Sequence, residues 1–153
     1  MMQTEAFEQF RRGLAYLRDQ YPDQALPYIQ KAAELEMQNP FYQSYLGVVL
    51  ARVGDGRKEA EQLCSEALRM RRNEPQLYLN LAEVHAISGR RDEAVEILQQ
   101  GMKFARRDFR LRLMLCRMTN RRRPVLPFLG RGHFLNRHLG RWRHRALLRF
   151  GTA

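Results

Sequence analysis

The stretch "LNLAEVHAISGRRDEAVEILQQGMKF", residues 79 to 104, decides the fold. Counting from Leu77 just before it, the apolar residues Leu81, Val84 and Ile87 recur every three or four positions, the spacing that gathers side chains on one face of a helix. The pattern breaks at Gly89 with Arg90, Arg91 and Asp92, then resumes with Ala94, Ile97 and Leu98. Two amphipathic helices around a turn are predicted. Asp92 and Glu93 open the second, where carboxylates favour the positive end of the helix dipole.

The same pattern stands twice upstream, in "FRRGLAYLRDQYPDQALPYIQKAAEL" (10–35) and "SYLGVVLARVGDGRKEAEQLCSEALRM" (44–70). Small residues align at Gly13, Gly47 and Ala82, at Ala25, Ala60 and Ala94, and at Ala32, Ala67 and Gly101. Each column advances by 34 or 35 residues, and the odd residue is expected in the turn "GDGRKEA". A small residue recurs where two helices cross closely, because a larger one would push the axes beyond roughly 8–10 Å. Pro40 and Pro75 fall where the second and third units begin, a place where proline is tolerated in a first helical turn. Another step of 34 from Ala82 reaches Cys116, preceded by Leu115, so "DFRLRLMLCRMTN" (108–120) reads as a fourth first-helix with no second helix behind it. Such an element covers the last apolar face of an array. Cys116 is expected there as a small packing residue.

These residues resemble the tetratricopeptide repeat family over roughly residues 6 to 110. Leu46-Gly47 and Leu81-Ala82 match its Leu-Gly pair, Tyr16 its following aromatic, and Ala25, Ala60 and Ala94 its most characteristic small residue. Arg12 departs from the leucine, and Leu50 and His85 depart from the tyrosine. The resemblance implies an all-α solenoid of three helical hairpins and a capping helix over residues 5–119, acting as a non-enzymatic module for a protein or peptide partner. It implies a concave groove lined by Phe10, Leu14, Leu17 and Arg18, by Tyr45, Val48 and Arg52, and by Leu79, Asn80, Glu83 and Ile87. One subclass clamps a C-terminal carboxylate with lysines, an arginine and asparagines in the groove. Here Phe10, Leu14, Tyr45, Gln76 and Asn80 hold those positions, so only the asparagine survives, the charge is missing and an apolar segment is the better guest.

No constellation for chemistry stands out. Cys64 and His85 occupy packing positions rather than forming a dyad, and His133, His138 and His144 lack ligand spacing, so no catalytic residue, metal or cofactor is expected. The cysteines have no paired spacing and "MMQTEAFEQF" lacks a secretory pattern, which points to a cytoplasmic protein.

The charge is uneven. Up to residue 102 there are 12 Lys and Arg against 15 Asp and Glu, whereas from Lys103 onward 15 face Asp108 alone. Arg121, Arg122 and Arg123 lead into Pro124 and Pro127, predicting an extended connector over 120–133. A basic amphipathic helix is expected over 134–150, with Leu135, Leu139, Trp142, Ala146 and Phe150 in one stripe. Arg137 and Arg141 lie away from that stripe, Arg143 and Arg149 flank it, and Arg145 adds to the charge. The readings open to this tail are docking on the array or an acidic partner, binding nucleic acid, and lying on an anionic membrane. The sequence leaves the oligomeric state open.

Overall fold

The structure is a computed structural model that describes residues 4–54 and 56–119. The expected connector with Arg121, Arg122 and Arg123, and the expected helix with Arg137, Arg141, Trp142, Arg143, Arg145 and Arg149, lie outside the described residues, as do the three tail histidines. Among the described residues there are seven α-helices and no strand: α1 (Glu5–Arg18), α2 (Pro22–Leu35), α3 (Pro40–Val53), α4 (Arg57–Met70), α5 (Pro75–Ile87), α6 (Arg91–Phe104) and α7 (Phe109–Thr119). None is long and apolar enough to cross a membrane.

Local chemistry sets the helix starts. The Thr4 hydroxyl accepts from the Phe7 amide and the Asn39 side chain from the Phe41 amide, each satisfying a donor that an opening helix leaves free. Pro40 and Pro75 take the first positions of α3 and α5, where no amide is needed. Gly54 ends α3 in the left-handed region at φ 94°. That cap corrects the expected place of the odd residue in the repeat. The turns Asp19–Tyr21, Gly54–Gly56 and Ser88–Arg90 are equally long, and the extra residue lengthens α3 beyond Gly47 by one position.

Helices pair as α1–α2, α3–α4 and α5–α6, and α7 packs on α6 and α5. Successive first helices meet, as α3 with α5 and α5 with α7, and pack more closely than α2, α4 and α6 do among themselves. The array therefore closes toward the first helices, which line its inner side. Close crossings depend on the small columns: Ala25, Ala60 and Ala94 are fully buried, as are Ala32 and Ala67. A Cβ on Gly47 would stand 2.6 Å from the Ala60 carbonyl oxygen and 2.7 Å from Cys64 Sγ, and one on Gly101 would meet the Tyr78 ring at 2.8 Å. Ile29 occupies the corresponding space beside Gly13.

Cys116 requires a correction. It is exposed, although its column is buried at Gly13, Gly47 and Ala82. In those three units the column faces the second helix of its own hairpin, and no described helix follows α7. The anchoring residue of α7 is instead Leu111, fully buried beside Tyr78 and Leu98.

Gly47→Ala tests the crossing directly. Ala gains roughly 1 kcal/mol in helix propensity over Gly, but the overlap with a backbone oxygen forces α3 and α4 apart, at a cost typical of overpacking, about 1–3 kcal/mol. A lower denaturation midpoint by circular dichroism is expected; a raised one contradicts the packing described.

Candidate functional site

The inner face divides into two parts. At its N-terminal end Phe10 of α1 sits between Tyr42 and Tyr45 of α3, with ring centroids 4.5 and 5.2 Å away. At its C-terminal end α5 and α7 border an open cleft of about 520 Å³ lined by Gln76, Leu79, Asn80 and Glu83 on one side and by Arg110, Leu113, Met114, Arg117 and Met118 on the other. Leu79, Leu113, Met114 and Met118 make its apolar contact surface, and Leu113 is 46% exposed. Methionines suit such a wall because their unbranched, polarizable side chains adapt to a guest's shape.

Most of the charge on this face is already engaged. Arg52 pairs with Glu83 at 2.6 Å and donates from Nη1 to the Leu17 carbonyl at 3.3 Å, tying α3 to both neighbouring first helices. Arg110 pairs with Asp108 at 2.8 Å and donates to Gln76 Oε1 at 2.9 Å. From there a relay runs inward: Gln76 Nε2 donates to Asn80 Oδ1 at 2.8 Å, and Asn80 Nδ2 to Ser44 Oγ at 2.9 Å. Cys64 Sγ closes it on the Ser44 carbonyl at 3.2 Å. Asn80 and Ser44 are buried with these partners, as burial of polar groups requires. The outer links, Arg110 to Gln76 and Asn80 to Ser44, bind one repeat to the next, and the Gln76–Asn80 bond joins them within α5.

The sequence-predicted residues divide accordingly. Phe10, Leu14, Tyr45, Arg52, Leu79 and Glu83 are half-buried, and Arg18 and Ile87 are exposed. Leu17, Val48 and Asn80 are buried, and of these Asn80 alone borders the α5–α7 cleft. Leu17 packs with Ile29 and Val49, and Val48 with Leu81 and Val84. Sequence reasoning missed Arg110, Leu113, Met114 and Arg117 by treating α7 as a cap alone. The signal was present, since they follow Gln76, Leu79, Asn80 and Glu83 by the repeat's own step of 34.

Bond-making chemistry finds little support here. Burial pushes the Cys64 thiol up to about 12, which leaves it protonated at neutral pH. Burial also raises the Tyr45 phenol, with Arg110 pulling it down and Glu83 adding to the rise. His85, buried at the α5–α6 turn, has Nδ1 3.0 Å from Glu93 Oε2, while Arg90 bridges Glu61 and Glu93. Among the described residues no three His, Cys, Asp or Glu side chains gather as a metal site would need.

Residues 57–116 match the family model described as Tetratricopeptide repeat. No curated protein matches the chain. Among solved structures, PcrH from Pseudomonas aeruginosa is 21% identical with a TM-score of 0.61, over 78% of this chain and 95% of that one. PcrH in complex with the chaperone binding region of PopD is 23% identical, TM-score 0.58, over 73% and 89%. The first TPR of Spaghetti (RPAP3), bound to the HSP90 peptide SRMEEVD, is 16% identical, TM-score 0.62, over 75% and 93%. At these identities the likeness is one of fold: an all-α helical-hairpin solenoid.

The Asp108–Arg110 pair makes α7 sensitive to acid. The Arg110 side chain, with help from the Arg110 and Leu111 amides, holds the Asp108 carboxyl below its ordinary range. Its stabilising effect is complete above the unfolded value, roughly pH 4, and is lost as pH falls through the lower folded value. Amide protection in α7, relative to the intrinsic exchange rate at each pH, should fall below about pH 4 ahead of that in α3, and Asp108→Asn should remove that difference. Uniform exchange across both helices would contradict it.

Proposed function

We propose that the chain, whose residues 57–116 match the tetratricopeptide repeat model, is a non-enzymatic protein-interaction module that holds a partner segment along its inner face. The observation that carries this reading is the α5–α7 cleft, apolar through Leu79, Leu113, Met114 and Met118, while Arg52 and Arg110 are engaged by carboxylates of the same chain. A guest therefore gains chiefly by burying apolar side chains, at roughly 25 cal/mol per Å² removed from water. An amphipathic helix or an extended apolar segment meets that requirement. Two proteins of similar fold support the reading: the Spaghetti (RPAP3) domain bound to an HSP90 peptide and PcrH in complex with a region of PopD. A clamp for a terminal carboxylate is not part of the proposal, because the matching positions Phe10, Leu14, Tyr45, Gln76 and Asn80 carry no charge.

Leu113 is the position to test, since its exposure lets it change without touching the core. Leu113→Asp should keep the melting temperature and reduce recovery of a captured partner from host lysate at least tenfold, because binding would desolvate an unpaired carboxylate. Equal recovery by the wild type, Leu113→Asp and Leu14→Asp would overturn the groove reading.

A further inference from the structure

The outer side of the array carries a second cleft, between α4 and α6, which the groove reading leaves unused. It measures about 400 Å³. Leu68 and Tyr78 form its floor, Phe104 its lip, and Arg69, Arg72 and Lys103 its rim, with no carboxylate among its lining residues. Construction is specific. Tyr78 fits because residue 101 is glycine, and its Oη donates to the Arg72 carbonyl at 2.8 Å, fixing the turn that carries Arg72. Phe104 lies over Tyr78 with centroids 6.1 Å apart and planes 23° from parallel, and is 60% exposed.

The charge contrasts with that of the inner groove. There Arg52 and Arg110 are paired at 2.6 and 2.8 Å and the carboxylate of Glu83 lines the cleft, with Arg117 outside any ion pair among the described residues. Here Arg69 has only Glu66 at 3.9 Å, and among the described residues Arg72 and Lys103 enter no ion pair. Cations near a helix C-terminus offset its dipole, which accounts for their place in sequence. It leaves open what answers three positive charges around one apolar hollow.

We propose that this cleft is a second binding site, for an acidic peptide segment that places one aliphatic or aromatic side chain against Leu68, Tyr78 and Phe104. Carboxylates flanking that anchor meet Arg69, Arg72 and Lys103. The volume lies near the small end for ligand clefts, roughly 300–1,000 Å³, and so takes an anchor residue rather than a long strand. A single-stranded nucleic acid needs successive aromatic platforms along a cationic track. The cleft instead offers one exposed ring, with one face already against Tyr78 and aliphatic carbon below.

The test uses the full chain, ¹⁵N-labelled, titrated with a synthetic peptide of one leucine flanked by glutamates. Amide shifts are expected at Arg72, Gln100, Lys103 and Phe104. The double variant Arg72→Glu, Lys103→Glu should weaken binding there about tenfold, and Phe104→Ala or a peptide with serine for leucine should weaken it severalfold. The groove variant Leu113→Asp should leave it unchanged, which separates this site from the proposed inner groove. The proposal is overturned if shifts are confined to α5 and α7 or to residues 120–153, if the double variant binds equally well, or if a short oligothymidylate moves the same amides more strongly than the peptide.

Discussion

The close crossing of the two helices in each hairpin governs everything else in the array. Gly13 against Ile29, Gly47 against Ala60 and Cys64, and Gly101 against Tyr78 leave no room for a methyl group. The fully buried alanines at 25, 60 and 94 hold the same distance from the other side. Between hairpins, α2 packs on α3 and α4 on α5. First helices then approach one another more closely than second helices do, and this produces an inner face at all.

On that face the polar groups are ordered across repeat boundaries. Arg52 reaches both Glu83 and the Leu17 carbonyl, and the relay from Arg110 to Ser44 passes through Gln76 and Asn80. Satisfied networks of this kind cost stability when one member is removed, because the remaining members stay buried without partners. They therefore do structural work: they hold successive hairpins in register and use up charge that would otherwise shape the choice of guest. Arg72 and Lys103 on the outer rim, and Arg117 on the cleft wall, enter no ion pair among the described residues.

Much of the fold was legible because its signal repeats. Periodic apolar residues gave the helices, the small columns gave the crossings, and Pro40 and Pro75 marked helix starts that the structure places where expected. The groove was less legible. Asn80 reads as surface because it is polar, yet its partner Ser44 lies 36 residues away in the preceding repeat. Leu17 and Val48 sit at the edge of the inner face, where a few degrees of helix rotation decide between core and groove, and a pattern within one repeat does not contain that angle. Cys116 occupies a buried column but follows the last described hairpin, so periodicity alone assigned it a burial that the structure does not show. The wall formed by Leu113, Met114 and Met118 could have been found by carrying the register of α5 into α7.

The central claim is that a partner lies on the inner face at the α5–α7 cleft. Site-specific photo-crosslinking measures this most directly, with a benzophenone side chain at Leu113 on the cleft wall or at Gln62, an exposed position on α4. The account predicts that a partner protein crosslinks at position 113 and not at position 62. Crosslinking at 62 with none at 113 would contradict it.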